Sequence, residues 1–143
     1  MIYLMKGIPG CGKSTYIKNV LKPTGLAVIC SADHHFEDEQ GNYNFNPAEI
    51  GIAHAACLKK YTYAIQMDCD VIVDNTNIRL WEIAPYVALA EAFNKEYEII
   101  EIVCEPSQAA RRNTHGVPEE KVMEMYKNYE ECLPWWNSKE VYV

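Results

Sequence analysis

The sequence predicts one three-layer α/β domain with a mostly parallel five-stranded sheet. Short apolar runs alternate with longer stretches whose apolar residues recur at three- and four-residue spacing, as strands alternating with helices do. The chain has 143 residues, 49% of them hydrophobic, which is the size of one ordinary domain with its own core. A glycine-rich turn follows the first apolar run directly. We expect a single domain over residues 1–143 with strand order 2-3-1-4-5.

Local patterns place the strands and the first loop. Apolar runs predict strands at residues 1–6, 26–31, 71–73 and 97–104, with an edge strand at residues 140–143. Residues 32–46 are polar and contain turn signals such as Gly41-Asn42, so we expect a surface loop there.

Proline and glycine positions bound the helices. We expect five helices, at residues 13–22, 47–67, 80–94, 107–113 and 119–132. Pro23 stops the first helix, Pro47 suits the first turn of the second, and Pro85 permits a kink or a late beginning in the third. The Gly116-Val117-Pro118 stretch separates the last two helices.

Charge and composition exclude several classes of protein. Thirteen basic and 20 acidic residues give a net charge of −7, which argues against a protein that wraps long nucleic acid, including long duplexes. No apolar run is long enough to span a membrane, and no basic segment leads into an apolar run at the amino terminus. The six cysteines never fall at C-x-x-C spacing, which favours reduced thiols. We expect a cytoplasmic protein.

Residues 7–14 fit the phosphate-binding pattern G-x-x-x-x-G-K-[ST] at every specified position. The glycines let successive backbone N–H groups face phosphate oxygens, and the following helix adds its positive dipole end. Lys13 would reach the β- and γ-phosphates, and the Ser14 hydroxyl would ligate Mg²⁺. The pattern predicts an ATP site formed by Gly7, Gly10, Cys11, Gly12, Lys13, Ser14 and Thr15.

Asp33 follows the second predicted strand by two residues, at the sheet edge where α/β proteins collect their chemistry. A kinase needs a carboxylate there to orient an acceptor hydroxyl and accept its proton. The same residue could also serve as a turn-forming or helix-capping aspartate.

The third predicted strand ends in Asp74-Asn75-Thr76-Asn77. Asp74 is placed to hold Mg²⁺ through water, to bind the acceptor or to cap the next helix. Asn77 is a further candidate for acceptor binding. Arg79 could face an acceptor phosphate, and a surface helix start explains it equally well.

Arg111 and Arg112 are two of only three arginines in the chain, and they precede the Gly-Val-Pro break. A helical lid over about residues 107–120 would bring these guanidinium groups to ATP and to the charge of the transferring phosphoryl group. Arg112 is the better candidate for catalytic contact.

Together, the phosphate-binding loop, Ser31-Ala32-Asp33, Asp74-Asn75-Thr76-Asn77 and the late Arg111-Arg112-Asn113 resemble the polynucleotide 5′-kinase group of P-loop kinases. The resemblance covers residues 2–131. It extends to small phage and bacterial AAA-type and zeta-toxin-like kinases, and to the kinase domain of a metazoan protein that binds a HECT-type ubiquitin ligase. A phage-encoded member would act in the host cytoplasm.

The resemblance implies roles for individual residues. Asp33 occupies the place of the general base for the 5′-hydroxyl, Arg112 that of the lid arginine, and Asp74 that of an acceptor-side aspartate. End-healing kinases also carry an arginine shortly after the base, where this chain has residues 34–37, His-His-Phe-Glu.

Three functions follow as hypotheses. The first is Mg²⁺-ATP-dependent phosphorylation of the 5′-hydroxyl of DNA or RNA ends, with Lys13, Asp33 and Arg112 as catalytic residues. The second is a small-molecule kinase for a nucleoside, nucleotide or other metabolite, favoured by the acidic charge and the missing arginine. The third is an ATP-binding switch module without an acceptor.

Overall fold

Five parallel strands form the centre of the fold in a computed structural model that describes residues 1–113 and 115–143. The sheet has the order β2-β3-β1-β4-β5, and all four pairings are parallel. This confirms the predicted sheet and its strand order. The strands are β1 (Ile2–Lys6), β2 (Val28–Cys30), β3 (Val71–Val73), β4 (Tyr97–Val103) and β5 (Ser138–Tyr142).

Helices cover both faces of this sheet, because its central strands are apolar on both sides. Leu4, Val73 and Ile99 pack with the buried sides of α2 and α3, whereas Met5 and Ile100 pack with residues of the first helical segment, α4 and α5. The α-helices are α1 (Lys13–Tyr16), α2 (Ile50–Ala64), α3 (Leu80–Ala92), α4 (Pro106–Arg112) and α5 (Glu119–Lys127).

The first helix is not regular over residues 13–22 as predicted. After α1 it continues as a wider, π-helical turn over Ile17–Leu21, closed by a bond from the Lys22 N–H to the Ile17 carbonyl oxygen. Lys22 then adopts a left-handed conformation with φ 46°. The following Pro23 disfavours the α conformation at Lys22, so the helix ends there.

The predicted last helix over residues 119–132 is too long, because α5 ends at Lys127. Long-range contacts hold the residues that follow. The Glu130 N–H donates to the Ile78 carbonyl oxygen at 2.8 Å, and the buried Lys6 ammonium donates to the Glu130 carbonyl oxygen. The Tyr129 hydroxyl donates to Glu101 at 2.6 Å. These bonds tie the carboxyl-terminal segment to β1 and β4.

Residues 32–46 are more ordered than the predicted loop. A 3₁₀ turn spans Ala32–Phe36, and its N-cap Ser31 accepts a hydrogen bond from the Asp33 N–H. The chain then forms a small antiparallel bridge between Glu37 and Tyr43. The bridge places the aromatic side chain of Tyr43 beside the end of β2.

Smaller departures concern element ends. The second strand is shorter than residues 26–31, and α2 is preceded by a 3₁₀ turn at Pro47–Glu49. Pro85 lies inside α3, which begins at Leu80, so the late beginning does not occur. All six cysteines are free. Within the described residues, no helix combines the length and apolarity needed to cross a membrane.

Candidate functional site

The phosphate-binding loop connects β1 to α1 and bends through left-handed glycines. Gly10 has φ 80° and Gly12 has φ 106°, conformations that residues with a Cβ rarely adopt. The backbone of α4 lies so close to the loop that a Cβ on Gly10 would be 1.9 Å from the Ala109 carbonyl oxygen. The space around Gly12 is open. The loop is therefore held against α4 on one side and free on the other.

Lys13 folds back over this loop. Its Nζ donates to the carbonyl oxygens of Gly7 at 2.9 Å and Ile8 at 3.1 Å. Burial raises the pKa of the adjacent Cys11 thiol, which is therefore neutral at pH 7. Ser14 lies exposed in the first turn of α1. The ammonium group is thus inside the loop, where phosphate oxygens could replace the two carbonyls as its partners.

The Asp33 carboxylate is held from two sides at the end of β2. The Tyr43 hydroxyl donates to its Oδ1 at 3.1 Å, and His115 Nδ1 lies 3.2 Å from its Oδ2. Burial, followed by the charge of Asp33, raises the pKa of Tyr43 to about 12, so this phenol stays protonated and donates. About two fifths of the Asp33 side chain remains exposed. A carboxylate in this position can meet a ligand from solvent.

Asp74 follows β3, and backbone hydrogen bonds join this segment to both neighbours: the Asp74 N–H donates to the Cys30 carbonyl oxygen at 2.8 Å, and the Gly7 N–H donates to the Thr76 carbonyl oxygen at 2.9 Å. Burial raises the pKa of its carboxyl, the charge of Lys13 opposes this rise, and the charge of Asp33 adds to it. His34 and His115 also lower this pKa. The side chains that influence Asp74 come from the loop, from the end of β2 and from the segment after α4. The structure thus brings Lys13, Asp33 and Asp74 to the end of the sheet where β1, β2 and β3 have their carboxyl ends.

The segment after α4 is fixed by one side chain. Asn113 donates to the carbonyl oxygens of Ala110 at 2.8 Å and Val117 at 3.0 Å, and its Oδ1 accepts from the Val117 N–H. Arg111 and Arg112, at the end of α4, are both exposed. The contact between α4 and Gly10 places the carboxyl end of this helix directly beside the phosphate-binding loop.

Two other predicted acceptor-binding residues have internal partners. Asn77 is buried, with φ 47°, and its amide donates to the Met5 carbonyl oxygen at 3.0 Å. Arg79 Nε lies 3.4 Å from the Glu130 carboxylate, on the side of the carboxyl-terminal segment. The structure does not bring either side chain to Asp33.

Tyr43 and His115 were not among the predicted site residues, although both contact Asp33. They lie 10 and 82 positions from Asp33 along the chain, and neither belongs to a recognisable motif. The ten tyrosines of the chain show no pattern that singles out Tyr43. The bridge between Glu37 and Tyr43 and the segment after α4 bring these rings to the carboxylate.

Comparison with known proteins shows the family and the fold of this chain. A model of an AAA domain family matches residues 2–132. NEDD4-binding protein 2 from Homo sapiens is 32% identical over 137 residues, a match that covers 91% of this chain and 8% of that protein. The chain thus spans less than a tenth of this relative.

Solved structures share the fold at low identity. A chain of the Pnkp1/Rnl/Hen1 RNA repair complex has a TM-score of 0.70 at 16% identity, covering 89% of this chain and 43% of that one. A gluconokinase from Sinorhizobium meliloti has a TM-score of 0.67 at 13% identity, covering 99% of this chain and 81% of that one. The chain belongs to the AAA domain family whose model matches residues 2–132, and it has the P-loop kinase-like fold that its sequence predicts.

Proposed function

We propose that this protein transfers the γ-phosphate of ATP to the 5′-hydroxyl of DNA or RNA ends. The observation that carries the proposal is the placement of Asp33, a partly exposed carboxylate that lies near Asp74 and Lys13 at one end of the sheet. A phosphoryl-transfer enzyme needs a carboxylate that can receive the acceptor's proton beside a site for the triphosphate.

Residues of the phosphate-binding loop would bind ATP. Lys13 exchanges the carbonyl oxygens of Gly7 and Ile8 for phosphate oxygens, and the exposed Ser14 and Thr15 lie where the triphosphate enters. Arg111 and Arg112 contact the phosphates from α4.

The oxygen donors of Ser14 and Asp74 are of the kind that Mg²⁺ prefers, so they would hold this ion directly or through water. When bound, Mg²⁺ neutralises charge on the phosphate oxygens. Asp74 would also border the acceptor side, because its N–H donates to the carbonyl oxygen of Cys30, the last residue of the strand before Asp33.

The chemical step is a single displacement. The acceptor oxygen forms a bond to the γ-phosphorus as the bond between that phosphorus and the leaving oxygen of ADP breaks. The acceptor's proton moves to the Asp33 carboxylate, while Lys13 and Arg112 stabilise the charge on the transferring group.

Transfer of labelled γ-phosphate to a panel of acceptors tests this proposal. The panel contains 5′-hydroxyl DNA and RNA oligonucleotides, 3′-mononucleotides, nucleosides and gluconate. Asp33→Asn keeps the size of the side chain and removes the base, so transfer should fall by about 10²–10⁴-fold while ATP binding is retained. Asp68→Asn, at an exposed aspartate outside the site, is the matched control.

Lys13→Met should abolish transfer, and Lys18→Met, at an exposed lysine of the same helical segment, should not. An Asp33→Asn variant as fast as the parent would refute the assignment of the base. Tight ATP binding with no transfer to any acceptor would instead indicate a nucleotide-dependent switch.

A small-molecule kinase is the second candidate function. Residues 34–37 contain no arginine to bind an acceptor phosphate, the net charge is −7, and one structural neighbour is a gluconokinase. Label on monomers alone would favour this candidate.

A further inference from the structure

Three aromatic rings stand nearly parallel beside Asp33. The His115 and Tyr43 rings have centroids 4.6 Å apart at an interplanar angle of 24°. The centroid of the Phe45 ring lies 6.5 Å from that of Tyr43, at an interplanar angle of 12°. The Tyr43 hydroxyl donates to the Asp33 carboxylate. The ring that pairs with both others is therefore bonded, through its hydroxyl, to the carboxylate that we propose as the base.

The Tyr43 ring is held in place by the small antiparallel bridge. Phe36 is buried and packs edge-on against both Tyr43 and Phe45. The Asn44 N–H donates to the Phe36 carbonyl oxygen at 2.8 Å. The turn itself is closed by Asp38, whose carboxylate accepts backbone N–H groups, and these bonds lower the pKa of Asp38. These contacts hold the Tyr43 ring beside Asp33.

His115 and Phe45 are both exposed, and His115 makes two contacts at once. Its ring covers one face of Tyr43, and its Nδ1 lies 3.2 Å from Oδ2 of Asp33. The other carboxylate oxygen already accepts the bond from Tyr43. An acceptor hydroxyl that approaches Oδ2 from the side of His115 Nδ1 would displace His115 from the carboxylate. The same movement uncovers the face of Tyr43.

We propose that Tyr43 is the stacking surface for the terminal nucleobase of the acceptor, which takes the place of the His115 ring. The inference rests on the proposed function and names how its acceptor is recognised. The Tyr43 ring and the Asp33 carboxylate are close, because a single hydrogen bond joins them. One nucleoside can therefore place its base on the ring and its hydroxyl at the carboxylate. Stacking also needs no cation, which suits a site where residues 34–37 provide no arginine.

The acceptor's nucleobase can be removed chemically, which makes the inference testable. The two acceptors are a 5′-hydroxyl DNA oligonucleotide with a terminal adenine and the same oligonucleotide with an abasic tetrahydrofuran unit at its 5′ end. In the parent protein the KM for the adenine end should be lower by about 5- to 150-fold, the range that a base–aromatic stack supplies.

Variants then separate stacking from the hydrogen bond to Asp33. Tyr43→Leu should raise the KM of the adenine end to that of the abasic end. Tyr43→Phe should keep the preference, since the ring remains, although the turnover number falls for both acceptors. Tyr63→Leu, at an exposed tyrosine of α2, is the matched control and should behave as the parent. Equal KM values for the two ends in the parent, or a preference that survives Tyr43→Leu, would overturn the inference.

A binding measurement keeps this inference distinct from the proposed function. An oligonucleotide with 2-aminopurine at its 5′ end should lose fluorescence on binding to the parent and not to Tyr43→Leu. Quenching without phosphate transfer would refute the kinase proposal and leave the stacking surface supported. Phosphate transfer without quenching would support the kinase proposal and refute the stacking surface. Circular dichroism and thermal unfolding of Tyr43→Leu show whether a loss of quenching reflects a loss of fold.

Discussion

Substitution of Gly10 by alanine tests the packing of α4 against the phosphate-binding loop. The new Cβ would lie 1.9 Å from the Ala109 carbonyl oxygen and 2.9 Å from the Asn113 nitrogen, whereas ordinary contacts begin near 3.4 Å. The helix must therefore move, or the loop must change shape. Gly10 also has φ 80°, which adds the conformational cost of a left-handed alanine.

Gly12→Ala is the matched control, because it carries the conformational cost without the collision. Gly12 has φ 106°, and its Cβ would meet no heavy atom within 4 Å. We expect a loss of about 1–2 kcal/mol in the free energy of unfolding for Gly12→Ala. Gly10→Ala should lose about 1–3 kcal/mol more, the usual range for an overpacked core.

Urea unfolding of the two variants, without nucleotide, measures this difference directly. The Tm should fall in the same order, with a larger decrease for Gly10→Ala. Equal losses of free energy in the two variants would refute the reasoning, since they would mean that α4 does not rest on the loop as described.

Three further substitutions test the rest of the structure. Lys6→Met should destabilise the fold by about 3–5 kcal/mol in urea unfolding, because it leaves Glu101 buried without its cation, and Lys6→Met with Glu101→Gln together should lose less. Burial lowers the pKa of Lys6 in the folded protein. Between that pKa and 10.5, the unfolded chain therefore binds a proton that the folded chain has lost. The free energy of unfolding of the parent should thus rise with pH over this range, relative to the double variant. Asn113→Ala should leave Val117 without its bond and speed proteolysis near residue 115, and unchanged cleavage would contradict the role of this amide. Tyr61→Phe should cost about 0.5–1.5 kcal/mol, because it removes the buried hydrogen bond from the Tyr61 hydroxyl to the Tyr86 carbonyl oxygen, and a neutral effect on Tm would contradict that bond.

Much of the fold could be predicted from the sequence because its signals are local. The apolar runs of β1, β3 and β4 are bounded by polar or glycine-containing turns, and the phosphate-binding motif specifies the connection between β1 and α1. The ends of elements were less predictable where distant contacts decide them. The last helix stops at Lys127 because Tyr129 and Glu130 are bonded to β4 and to the loop before α3.

The candidate site also contains residues that local sequence patterns predict and residues that only distant contacts position. Lys13, Asp33 and Asp74 lie together because parallel strands end at the same edge of the sheet, which the sequence pattern already implies. Asn77 could be interpreted either as a ligand-binding amide or as an internal one, and only the packing of its neighbours buries it. Tyr43 belongs to no sequence motif. Its position beside Asp33 depends on a short bridge in a polar segment, which the Asp38 carboxylate closes.

The side chains of this site are bonded to groups of the protein itself. Lys13 is bonded to carbonyl oxygens of its own loop, and Asp33 is engaged by Tyr43 and His115. If the proposed function is right, ATP and the acceptor each replace one of these contacts, so part of their binding free energy is spent on that exchange. A competitor that offers Lys13 no phosphate, or Tyr43 no planar ring, would then bind more weakly, because it could not replace the contact that it breaks. Selectivity in the proposed site would follow from the contacts that each ligand displaces as well as from those that it makes.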